Sequence, residues 1–134
     1  MRKLFLIGIL MLTCLVTYGQ KNENSPKEPK GKIVFKQALF DFGNIKQGTV
    51  VEHTFNFENT GNAPIIISDV RTTCGCTATK WTRNPIAVGE KASITAQFNS
   101  AGKVGIQNKV ITIISNASND QERVTIKANV LTEQ

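Results

Sequence analysis

The chain has 134 residues, a formal net charge of +6 and three cysteines. That length holds one domain and little more, and its lysines are not interleaved with aromatic residues as in a nucleic-acid binder. No window of helical period stands out, so helical bundles and helix-dependent phosphate folds are excluded at the outset.

The first residues read as an export leader. Arg2 and Lys3 give a positive start, Leu4 to Val16 form an apolar run, and Thr17-Tyr18-Gly19 ends in the small residues a signal peptidase accepts. The run is too short, and too soon followed by polar sequence, to span a bilayer. Residues 1–19 are therefore expected to be a signal peptide cut after Gly19, leaving no transmembrane span. Loss of Arg2 and Lys3 lowers the net charge from +6 to +4. Cys14 is a poor lipid-attachment site, because Met11-Leu12-Thr13 precedes it and Leu15-Val16 prolongs the apolar run. An exported product, periplasmic or at the cell surface, follows.

Residues 20–32 contain Lys, Asn, Glu, Ser and Pro and no large apolar side chain. Such a stretch cannot bury enough surface to offset its ordering entropy and reads as a flexible linker. Residues 33–132 then alternate in strand fashion. Ile33 to Phe35 opens, and Leu39 to Phe42 ends at Gly43. Val51, His53, Phe55 and Phe57 alternate with polar neighbours as a strand with one wet face. His53 lies on the apolar face and reads as a packed or capped core histidine. Asn59-Thr60-Gly61-Asn62 is a turn, with Gly61 supplying positive φ, and Pro64 leads into a strand over Ile65 to Val70. A short segment, Thr77 to Thr82, carries the only tryptophan, Trp81, as a core anchor.

Beyond Gly89-Glu90, Ala92 to Phe98 alternates again. Gly102 and Gly105 bracket a turn, and Val110 to Ile114 is apolar on both faces, as a central, nearly covered strand would be. Asn116 to Asp120 is a polar loop before a last strand with Val124, Ile126, Ala128 and Val130. Seven or eight short strands over about a hundred residues indicate an all-β, Ig-like antiparallel sandwich.

Phe40-Asp41-Phe42-Gly43-Asn44-Ile45, Gly48, Phe55-Asn56-Phe57-Glu58-Asn59-Thr60-Gly61, Pro64-Ile65, Cys74-Gly75-Cys76-Thr77, Pro85-Ile86 with Gly89-Glu90, and the stretch from Gly102 to Lys109 together resemble the bacterial domain of unknown function 1573. The likeness runs from about Phe35 to Val130. It implies an exported Ig-like domain related in fold to ASH/hydin-type domains, and it supplies no reaction. Val88 departs from the proline expected before Gly89, which leaves that turn less rigid.

Cys74 and Cys76 are the chemistry-bearing pair. Residues i and i+2 of a strand lie about 6.6 Å apart, whereas a disulfide wants Cβ atoms about 3.8 Å apart. Joining them requires Gly75 to fold the chain back, and so small a loop contributes only about 1.6 kcal/mol. Three readings stand side by side. The thiols are packed apolar groups, or they cycle through a strained, exchangeable disulfide, or they hold a soft metal such as Cu(I). Arg71 and Lys80 lower a thiol pKa if they face it, and Trp81 is a potential wall beside the pair. Zinc is short of ligands with only His53 in addition. Neither a hydrolase triad, a nucleophile elbow nor a phosphate loop is present, so no catalytic residue and no cofactor is assigned. The expectation is an envelope binding module for an unidentified protein or glycan, partnered along a sheet edge or at the loops beside the cysteines. The alternative is thiol redox or metal handling by the pair.

Overall fold

The computed structural model describes Gly19 and residues 26–132 apart from Cys74, and of Thr79 the backbone. The expected signal peptide, save its last residue, and residues 20–25 of the expected linker lie outside the described residues. Eight strands form two sheets: β1 (Ile33–Phe35), β2 (Leu39–Lys46), β3 (Val50–Asn59), β4 (Ile67–Thr72), β5 (Cys76–Trp81), β6 (Lys91–Asn99), β7 (Gly105–Ser115) and β8 (Gln121–Leu131). The strand orders are β1-β3-β6-β5 and β2-β8-β7-β4.

One pairing departs from the antiparallel expectation: β2 runs parallel to β8. β1 starts in one sheet, antiparallel to β3. The chain then crosses to the other sheet without reversing, so its continuation lies alongside the last strand in the same direction. Gly43 does not end β2. Its φ of +69° makes a bulge there, held by the Gly43 N–H donating to Asp41 Oδ1 at 2.8 Å.

Period-two alternation places the core between the sheets. Phe55, Phe57 and Ile94 face Ile111, Ile113, Val124 and Ile126 in one cluster, closed at the end by Ile65 and Ile86. Those two residues form an isolated bridge, so the strand expected from Ile65 starts at Ile67 and runs on to Thr72. β7 is central in its sheet, as expected, but only one face is fully covered: Ile111 and Ile113 are buried, while Val110 and Ile114 are half-exposed.

The ordered backbone reaches back to Lys30, ahead of the boundary expected at Ile33. Lys30 and Asn62 exchange hydrogen bonds, and Thr60 N–H donates to the Lys32 carbonyl. Asn59 is fully buried, and its side chain closes this corner. Oδ1 accepts from Lys32 and Gly61, and Nδ2 donates to Ala63 and Ile86. Gly61 serves close approach rather than positive φ, because a Cβ there would collide with the Lys30 carbonyl and the Gly31 backbone. At the next turn Glu90 takes the place of the expected proline's rigidity: its carboxylate accepts from the Ala87 N–H at 2.9 Å, and its N–H donates to Ala87 O at 3.0 Å.

Candidate functional site

The β4–β5 connection carries the cysteine motif at one end of the sandwich. Thr73 N–H donates to the Val110 carbonyl and its Oγ1 accepts from Val110 N–H, which ties the corner to β7. Cys76 N–H donates to Thr73 O at 3.1 Å, and Thr72 Oγ1 donates to Cys76 O at 2.9 Å. Gly75, at φ +91°, makes the fold-back, a conformation costly for any side chain. A Cβ there would stand 3.3 Å from the Lys103 chain and 3.5 Å from the Phe98 ring.

Cys76 carries a buried, free thiol. It belongs to a satellite cluster with Phe98, Ala128 and Val130, against which Phe42, Ile45 and Val51 pack. Burial pushes the thiol pKa up, and the Lys109 ammonium opposes that shift without cancelling it. At neutral pH the group is a protonated thiol in an apolar setting, which disfavours a nucleophilic thiolate at Cys76. Cys74 lies outside the described residues.

The cations near the thiol are not the ones expected from sequence proximity. Arg71 is exposed and engaged by Asp69, with Nε 3.0 Å from Oδ2. Lys80 and Trp81 sit at the far end of β5, where Trp81 pairs with Ile94 while Cys76 pairs with Phe98. Trp81 packs on the main core, and the Arg83 guanidinium lies 3.6 Å over its ring. The structure instead brings Lys103 and Lys109 to the corner. Lys109 shares a face with Ile111 and Ile113, and its Nζ is 5.9 Å from the centre of the Phe98 ring. That inward position was available from the period of two.

His53 lies on the inner face of β3, stacked on Phe40 with ring centres 3.7 Å apart and edge-on to Phe55 at 4.6 Å. Desolvation lowers its pKa, which favours the neutral ring. Beside it opens a cleft of about 390 Å³ lined by Lys36, Gln37, His53, Thr54, Phe55 and Asn56. Among the described residues no three of His, Cys, Asp and Glu converge as metal ligands.

A second feature shares the cysteine end. Val50, Val104, Ile106 and Leu131 hold their side chains out, Val104 and Ile106 at 60% and 58% exposure. β2 ends here against β8, with the Gln47 N–H donating to Leu131 O and Gln47 Nε2 donating to Lys103 O.

Comparison with known proteins agrees with this architecture. Residues 33–130 match the model of a family described as a protein of unknown function, DUF1573. Among solved structures, a protein of unknown function from Porphyromonas gingivalis W83 is 21% identical with a TM-score of 0.63. The match covers 74% of this chain and 46% of that one. The ASH/PapD-like domain 7 of human CEP192 is 9% identical with a TM-score of 0.62, covering 81% and 91%. The secreted serine protease VesC of Vibrio cholerae is 16% identical with a TM-score of 0.60, covering 74% and 23%. These likenesses establish the Ig-like, PapD-like fold, and the chain spans under half the length of the Porphyromonas and Vibrio proteins. No curated protein matches the chain.

Proposed function

The chain belongs to the DUF1573 family, and from that premise we propose that it is an exported Ig-like module of the cell envelope that works by binding another protein. One observation carries the reading. Val50, Val104, Ile106 and Leu131 stand exposed at one end of the sandwich, where a self-contained domain would gain by covering them. Apolar side chains gathered at one end of the sandwich are the kind of surface that a partner covers. The leader read in residues 1–19 supports export, and among the described residues no helix is long and apolar enough to cross a membrane. The alternative, redox or soft-metal handling through Cys74 and Cys76, has the burial and protonation of Cys76 against it.

The test is photo-crosslinking in intact cells. A photoreactive residue at Ile106 should give a covalent adduct with an envelope protein, and Val104→Asp should reduce its yield severalfold without unfolding the domain. The same probe at Glu122, which lies at the other end of β8, should give none. Equal labelling at both positions, or adducts insensitive to Val104→Asp, would remove the basis for the proposal.

A further inference from the structure

Among the described residues, every sheet edge of this sandwich is blunted except one. β5 is bulged between Ala78 and Lys80, and the outward backbone groups of Cys76 are taken by Thr72 and Thr73. β4 is bulged between Ile67 and Asp69, and the Asp69 carboxylate accepts from the Val70 N–H. β2 is bulged at Gly43. β1 spans three residues, and Asn119 both donates to and accepts from the Ile33 backbone. Bulges, shortness and side-chain caps are the devices by which sheets avoid adding strands.

The exception is β3 from Val50 to Phe55. β1 leaves it at the pair Phe35 and Phe57, with a last bond from Lys36 N–H to Asn56 O. Along the rest of β3 no described strand lies on that side. The other side pairs with β6 in nine consecutive register positions without a bulge. The parity of the ladder is set by its ends. Asn56 and Thr60 bond toward β1, while Asn59 and Thr49 bond toward the β6 side. Hence the N–H and C=O groups of Val50, Glu52 and Thr54 point out of the free edge. Donors and acceptors alternating at strand spacing are satisfied best by another extended backbone.

Side chains define what that backbone should carry. Residues opposite Val51 and His53 would take the inward face that those two share with the buried Phe55, beside the cleft lined by Lys36, Gln37, His53, Thr54, Phe55 and Asn56, and on that face should be apolar. A residue opposite Glu52 would point to solvent, and on the β6 side Glu52 faces the neutral Gln97. A Lys or Arg there gains a cross-strand charge pair.

Resting on the binding function proposed above, we infer that β3 accepts an extended segment of another protein as an added strand over Val50 to Thr54, in line with β1. The segment is apolar toward the sandwich and basic opposite Glu52.

Amide hydrogen exchange, read by NMR on the whole mature chain, tests this with the synthetic peptide Thr-Val-Thr-Val-Lys-Val-Thr-Val-Thr as probe. In the free protein the Val50, Glu52 and Thr54 amides should exchange fast, and those of Val51, His53 and Phe55 slowly. Millimolar peptide should protect the first set. Replacing its lysine with glutamate, or Glu52→Lys in the protein, should weaken binding about fivefold. Glu52→Pro removes an N–H that the ladder turns away from β6, toward the side where no described strand lies, and should abolish protection. Unchanged exchange at the three amides, or protection elsewhere, would overturn the inference. So would protection that arises without peptide as protein concentration rises, since the edge would then pair with a second copy. Crosslinking at Ile106 reads the binding function separately: adducts there without protection here refute only this edge.

Discussion

His53 shows how a titratable side chain is used as a packing element. Its ring is sandwiched among Phe40, Phe42 and Phe55, and desolvation holds its pKa below the usual 6.5. Protons then bind the unfolded chain more readily than the folded one at pH values between the lowered folded pKa and 6.5. Stability should be unaffected by this group above that window, fall as pH drops through it, and level off below. His53→Phe should erase that part of the pH dependence, measured as urea midpoints from pH 7.5 to 4.5. An unchanged slope in the variant would show that the ring does not carry it. Cys76 makes the same point about a thiol, because its neighbours Phe98, Ala128 and Val130 are those of a small apolar residue.

At the scale of elements, connections matter more than strand propensity. The turn after β3 crosses the incoming chain here: a Cβ on Gly61 would meet the Lys30 carbonyl and the Gly31 backbone, and one on Gly31 would meet the Ile65 side chain and the Ala63 carbonyl. Gly61→Ala should cost about 1–3 kcal/mol by overpacking, seen as a lower denaturation midpoint with an unchanged m-value. A neutral Gly61→Ala would mean that the corner gives way easily. The bulges of β2, β4 and β5 belong to the same scale: each disturbs a ladder locally and protects an edge. β3 keeps its ladder regular, which is why its free stretch stands apart.

The molecule as a whole is one core shared by two sheets. Ile126 on β8 is fully buried in the same cluster as Ile94 of the opposite sheet, and Trp81 packs against that cluster from β5. Ile126→Ala should therefore destabilise by about 2–5 kcal/mol, and Trp81 fluorescence should report the loss from across the sandwich. The fluorescence and far-ultraviolet circular dichroism transitions should shift together. Separate midpoints would reveal sheets that unfold independently. Pairing β2 with β8 joins Leu39 to Thr125, so much of the native topology is long-range, and folding on the millisecond-to-second scale is expected.

Strand number, the buried faces of β3, β6 and β8, the packed histidine and the turn at Gly61 were legible in the residues, because period-two alternation and turn chemistry are local. The reason Gly61 is required was not, since its neighbour is the backbone of Gly31, thirty positions away in sequence. Nor were the parallel pairing of β2, the place of Trp81 at the other end of β5 from Cys76, the engagement of Arg71 by Asp69, or the arrival of Lys103 and Lys109 at the cysteine corner. The pairing and the two lysines depend on which strands become neighbours. Sequence by itself determined a β-sandwich with a tight cysteine corner. Only tertiary structure decided what surrounds that corner and which edge is left open, because strand order and crossing are set by packing over long chain separations.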